Sequence, residues 1–309
     1  MVEDFVRRPP TRHLRRHLSI GLTHRCQNRC DFCATAGYRT DAAGELSTSE
    51  VEELLRAAVS SRYVFHTISF IGGECLLRRD LAHLVGYAAR LGVCVHLSTN
   101  GLKLDDHHAR LLAEAGLNSV FVAVAPEQPP SDALRRALEA CGRHGLPCFL
   151  SVCVRREHVA SRALADTIAQ AKRLGAVGVR LLPARLSGRW LREDRSRALD
   201  ERELAEVRRL CRSGFAFLTD DASAEAGRAC GAVLGTVVYV SPYGEVQPCH
   251  FFPFSFGNTR QQELDSALAR MWSHELLQHD CYDCLLHDPE FRREHVLSLS
   301  EDAPLPVAL

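Results

Sequence analysis

The sequence predicts an α/β protein whose main body is a partial (β/α)6 barrel of parallel strands, followed by a smaller region with a different rhythm. Three observations predict it. Short apolar runs rich in β-branched residues alternate six times with amphipathic helical segments, and six successive β-α units require parallel strands with helical crossovers. Most of the helical segments end on a glycine suited to a C-cap. The residues of unusual chemistry cluster just after the first three strands, on what becomes one rim of a parallel sheet. Six units fall short of the eight that close a full barrel, and an open doubly wound sheet is the alternative on pattern alone.

The strands are expected at residues 18–23, 67–70, 93–98, 119–124, 148–154 and 177–182. Between the first two, "STSEVEELLRAAVSS" opens with a capping box, Ser47 to Glu50, and then places Val51, Leu54, Leu55 and Val59 on one face. The next helices end at Gly92, Gly116, Gly145 and Gly175. After about residue 195 the rhythm changes. A helix is expected over "DERELAEVRRLCR". A hairpin follows in "TVVYVSPYGEVQPCHFF", turning at residues 241–244, and a further helix runs over about 263–274. The last residues, "EDAPLPVAL", read as frayed. The expected division is a leader at 1–16, a barrel at 17–195, a cysteine-bearing region at 196–288 and a tail at 289–309.

The 309 residues are 46% hydrophobic, ample for a buried core. Basic and acidic residues balance at 38 each, which gives no electrostatic footprint for nucleic acid or a membrane surface. The N-terminal arginines lack the apolar stretch of a signal peptide, and nothing reaches the ~18 apolar residues of a membrane span. A cytoplasmic protein is expected. Thirteen cysteines, an odd number without a secretory signal, argue against a disulfide framework. Cys94, Cys148 and Cys153 sit in apolar strand runs, where a free thiol packs as a small hydrophobe.

The stretch "LTHRCQNRCDFCATAGY" follows the first strand and spaces Cys26, Cys30 and Cys33 as Cys-x3-Cys-x2-Cys. Three thiolates in one loop can hold three corners of a cubane iron–sulfur cluster and leave the fourth iron open. A zinc loop with a distant fourth ligand is the alternative. The spacing, with Phe32 before the last cysteine, resembles the radical S-adenosylmethionine (SAM) superfamily. That resemblance implies a SAM-binding 4Fe-4S cluster on Cys26, Cys30 and Cys33. It also implies SAM contacts from Gly72, Gly73 and Glu74 after strand two, from Ser98 and Asn100 in the "STNG" turn, and from Ser151 toward the ribose. Arg155 or Arg156 would meet the SAM carboxylate, and Leu182 with Pro183 the adenine. Relatives often carry a Ser-x-Asp-Gly-like turn after strand four. This chain has Ala123-Val124-Ala125-Pro126 there, so no contact is carried over from that loop.

Farther on, Cys230, Cys249, Cys281 and Cys284 surround the expected hairpin, and Gly244 stands four residues before Cys249. By spacing alone this fits a zinc site or a cluster equally. It resembles the auxiliary-cluster domain called SPASM in its shorter form, twitch, which implies a second, fully ligated 4Fe-4S cluster in a small α+β domain. His250 reads as a nearby donor or a surface residue, not a ligand.

The resemblance implies reductive cleavage of SAM to a 5′-deoxyadenosyl radical that takes a hydrogen from a substrate. In size and cysteine layout the chain resembles the twitch dehydrogenases of aminoglycoside biosynthesis. This gives the expected function: two-electron oxidation of a small sugar- or aminocyclitol-like substrate in natural-product biosynthesis, with the auxiliary cluster accepting the electron. Flavodoxin or ferredoxin is the implied reductant. About seventeen residues precede the first strand, which favours a small substrate over a peptide. The alternatives are a maturase acting on a ribosomal peptide, or a redox-neutral dehydration, decarboxylation or epimerisation. No residue stands out as the general base, since arginines such as Arg180, Arg185 and Arg189 stay protonated.

Overall fold

The computed structural model describes residues 16–126, 128–219, 230–278 and 284–309. Six parallel strands follow the expected order: β1 (Arg16–Thr23), β2 (Phe65–Gly72), β3 (Cys94–Thr99), β4 (Ser119–Val124), β5 (Cys148–Val154) and β6 (Gly178–Pro183). The crossovers are α1 (Thr48–Ser60), α2 (Leu81–Arg90), α3 (Asp106–Glu114), α4 (Asp132–Arg143), a short α5 (Arg156–Ala160) and α6 (Ala163–Arg173). α1 starts as expected: the Glu50 amide donates to Ser47 Oγ, and the Ser47 amide donates to Glu50 Oε2 at 2.7 Å. Each strand buries the face turned to the helices, while its inward face is only partly covered. Leu18, Ile20, Ile68, Leu97, Val152 and Leu181 pack under the helices, and alternate residues face the interior. Near the bottom of that interior Phe121 stacks on Phe149, and Phe217 meets Phe149 edge-on.

The sheet continues beyond the six expected strands. After α7 (Glu201–Cys211) comes β7 (Ala216–Leu218), which pairs with β6. The expected hairpin forms as β8 (Val237–Val240) and β9 (Val246–Gln247), antiparallel to each other. β8 also pairs in parallel with β1, from His17 opposite Val237 to Ile20 opposite Val240. One nine-stranded sheet, in the order β7-β6-β5-β4-β3-β2-β1-β8-β9, therefore carries both cysteine regions.

The C-terminal residues are docked, not frayed. β11 (Val307–Ala308) pairs with β10 (Phe254–Ser255), and Tyr38 bridges to Leu305. Between them α8 (Leu264–Ser273) packs its buried Leu264, Leu268 and Met271 into the common core. Among the described residues no helix is long and apolar enough to cross a membrane.

Candidate active site

The loop after β1 brings Cys26, Cys30 and Cys33 to the C-terminal rim of the barrel. None is disulfide-bonded. Among the described residues no three His, Cys, Asp or Glu side chains converge tightly enough to hold a single metal ion. Such a spacing is compatible with a cubane, whose body holds its thiolates apart. A cavity of about 330 Å³ opens beside Cys26 and Cys33, walled by His24, Tyr38 and Arg189. The Asn28 amide lies 3.4 Å from Cys26 Sγ, and Asn100 Nδ2 lies 3.7 Å from it. Burial, with Cys33 and Cys26 alongside, pushes the Cys30 thiol up from its ordinary value. Sulfur ligands met by N–H donors on an open rim fit the iron–sulfur cluster and SAM that the resemblance implies.

Neighbouring loops hold this loop in place. The Gly73 amide donates to Thr23 O and the Glu74 amide to Arg25 O. A Cβ on Gly73 would collide with the His24 and Arg25 carbonyl oxygens, and one on Gly72 with Thr23 O. The glycine pair therefore lets the β2 loop lie flat against the backbone just before Cys26. Glu74 is fully buried, and its carboxylate accepts from the Leu76 and Asn100 amides and from Thr99 Oγ1 at 2.7 Å. It ties the end of β2 to the end of β3 and does not point its carboxylate outward.

The loop after β6 clamps the other side. The Arg189 amide donates to Cys33 O and Arg189 Nε to Cys30 O at 3.2 Å. Gly188, at φ +52°, has no room for a Cβ against Cys33 O and Ala34 O. Sequence reasoning missed this clamp, although "SGRW" carried the signal of a glycine turn just past a strand.

Phe32 and Arg155 come together: the guanidinium sits 5.5 Å from the ring centroid, with Glu157 Oε1 at 3.0 Å and Asp31 Oδ2 at 3.9 Å. The expectation for Arg156 is corrected. It opens α5 and turns away from the barrel mouth to Glu203 at 2.8 Å and Asp200 at 2.9 Å, the capping box of α7. Ser98, Ser151 and Leu182 face the interior. There Arg180 donates from Nε and Nη2 to Ser151 Oγ at 3.2 and 3.1 Å, and from Nη2 to Ser98 Oγ at 3.3 Å. Cys153, expected as a core hydrophobe, lies instead on this inner face near Cys30, with burial pushing its thiol up to about 12.

In the second region Cys230, Cys249 and Cys284 lie near one another, with Arg185 close to the last two. Burial, and next Cys230, push the Cys249 thiol up to about 12, while the Phe251 and Phe252 amides point at its sulfur. The Leu286 amide does the same for Cys284. Cys281 lies outside the described residues. A half-buried, sulfur-only set with amide donors fits a cluster. The two regions are linked through His24, which contacts Arg39 O at 3.0 Å and the Tyr239 hydroxyl on β8 at 3.1 Å. Tyr239 in turn lies edge-on to His250, the neighbour of Cys249.

Comparison with known proteins is consistent with this arrangement. Residues 20–166 match the sequence family described as the radical SAM superfamily, and residues 230–289 match the iron–sulfur cluster-binding domain SPASM. The chain is 30% identical over 277 residues to a PqqA peptide cyclase of Xanthomonas campestris pv. campestris, covering 82% of this chain and 72% of that protein. It is 29% identical over 252 residues to a PqqA peptide cyclase of Gluconobacter oxydans, covering 74% and 68%. Its fold is similar to Streptococcus suis SuiB bound to S-adenosylmethionine, at a TM-score of 0.67 and 14% identity, over 93% of this chain and 78% of that one.

Proposed function

This chain belongs to the radical SAM superfamily and carries a C-terminal SPASM domain, and on that footing we propose that it modifies a peptide. Its cofactors are two iron–sulfur clusters and S-adenosylmethionine. When bound, the first cluster and SAM supply a radical able to take a hydrogen from a substrate. Under this reading Cys26, Cys30 and Cys33 hold that cluster, and Cys230, Cys249, Cys281 and Cys284 hold the auxiliary one. The chain's own residues supply position. The Gly72–Gly73 contact and the Gly188–Arg189 clamp fix the three-cysteine loop. Arg155, beside Phe32, offers a cation for the SAM carboxylate. Ser98, Ser151 and Leu182 line the space beneath the rim.

The observation that carries the peptide reading is the likeness to the PqqA peptide cyclases over most of both chains. It favours a peptide substrate over the small molecule of the aminocyclitol-like oxidation that the cysteine layout suggests. To test it, the anaerobically reconstituted enzyme is incubated with SAM, dithionite and the short peptides encoded beside its gene. Mass spectrometry is expected to show one peptide losing a pair of hydrogens, with 5′-deoxyadenosine formed alongside. Peptides left intact while a polyol or aminocyclitol is consumed would restore the dehydrogenase reading.

A further inference from the structure

We infer that Arg180 forms a carboxylate-binding subsite for the substrate inside the barrel, taking an acidic side chain of the peptide. The inference rests on the peptide reading for the identity of the ligand, but the subsite itself rests on geometry. Arg180 stands on the inner face of β6, three residues below Pro183 at the strand end, which is about 10 Å below the mouth. Nε and Nη2 are held by the two serine hydroxyls, and the guanidinium carbon lies 4.1 Å from the Phe121 ring centroid. Nη1 has no hydrogen-bond partner, and no carboxylate pairs with this cation among the described residues. Serine hydroxyls and an aromatic face orient a guanidinium without neutralising it. A half-buried cation without an anion is costly, so its free edge is a site that a ligand completes.

The surroundings define the ligand. His17 and His96 approach the same interior, and burial first, with Arg180 among the further causes, pushes them down to about 3 and about 4. They are neutral near pH 7, so the site offers one full positive charge. That matches a monoanion, and a planar carboxylate accepts from an arginine fork. A phosphate dianion calls for a second cation. Arg180 also lies well below Arg155, the cation offered to the SAM carboxylate at the rim.

The test uses the SAM-loaded, unreduced holoenzyme and calorimetry with three probes: N-acetylglutamate N-methylamide, its glutamine counterpart, and N-acetylalanine, whose carboxylate is a chain terminus. The wild type is expected to bind the glutamate probe about tenfold more tightly than the glutamine probe. Arg180→Gln removes that preference and Arg180→Lys keeps part of it. Arg180→Gln is also expected to melt no lower than the wild type, because it removes a half-buried charge that no anion pairs. Equal binding of the glutamate and glutamine probes by the wild type overturns the subsite without recourse to any variant. Arg180→Gln weakening SAM in place of the glutamate probe assigns the cation to the cofactor and also overturns it. Tighter binding of N-acetylalanine overturns the side-chain assignment in favour of a chain terminus. Arg180-dependent carboxylate selectivity without any peptide turnover sinks the peptide reading and leaves the subsite standing.

Discussion

At the scale of single residues, Gly73 shows how little freedom the three-cysteine loop has. Adding one methyl group drives it into two carbonyl oxygens that cannot move without shifting the backbone toward Cys26. Gly73→Ala is expected to cost about 1–3 kcal/mol, as overpacking of a filled site does. It should also weaken SAM binding, read by denaturant unfolding and by equilibrium binding. Unchanged values for both would mean that the glycine is not needed there. The Gly-Gly-Glu stretch was legible as a special turn, but the reason for its glycines was not. The space a side chain would need there is filled by the protein's own backbone. That Arg156 pairs with the acidic cap of α7 was likewise out of reach, because it depends on where α5 starts and how α7 packs beside it. Arg180 was within reach: it shares strand parity with Leu182, so both were bound to face inward.

At the scale of elements, α1 is fastened from outside itself. Glu50 closes its capping box and also accepts from Arg260 Nη2 at 3.0 Å, while Arg260 Nη1 donates to Gly44 O at 2.9 Å. The hydrogen bond from Arg260 holds the Glu50 carboxyl down to about 2 in the folded protein, against about 4.3 for an unfolded glutamate. A depressed carboxyl stabilises the fold fully above the unfolded value and less as pH falls toward the folded one. The stability gap between wild type and Glu50→Gln is therefore expected to be constant above about pH 5 and to shrink between about pH 4.5 and about pH 2. Urea unfolding across that window measures it, and a gap that does not shrink refutes the pairing. The box was legible because it is local in sequence, whereas the arginine 210 residues away was not. The same holds for β8. Its hairpin turn is written in residues 241–244, but its pairing with β1 joins segments more than two hundred residues apart.

At the scale of the whole molecule, two sets of thiols imply two separable stores of iron. The reconstituted wild type is expected to hold about eight irons per chain, and the Cys26, Cys30 and Cys33 triple alanine variant about four, with SAM cleavage lost. Retained cleavage in that variant, or about four irons with zinc in the wild type, would contradict the assignment. The six β-α units and both cysteine patterns were legible, since each is written over a short span. Their union in one sheet was not. That union has a consequence for any attempt to divide the chain. The change of rhythm near residue 195 looks like a seam, yet β1 is a central strand whose outer partner, β8, lies beyond it. A fragment cut there would bare the backbone amides and carbonyls along one side of β1, flanked by the apolar Leu18 and Ile20. Such an edge is a template for another strand, so the severed barrel would present a self-association surface in place of a quiet boundary.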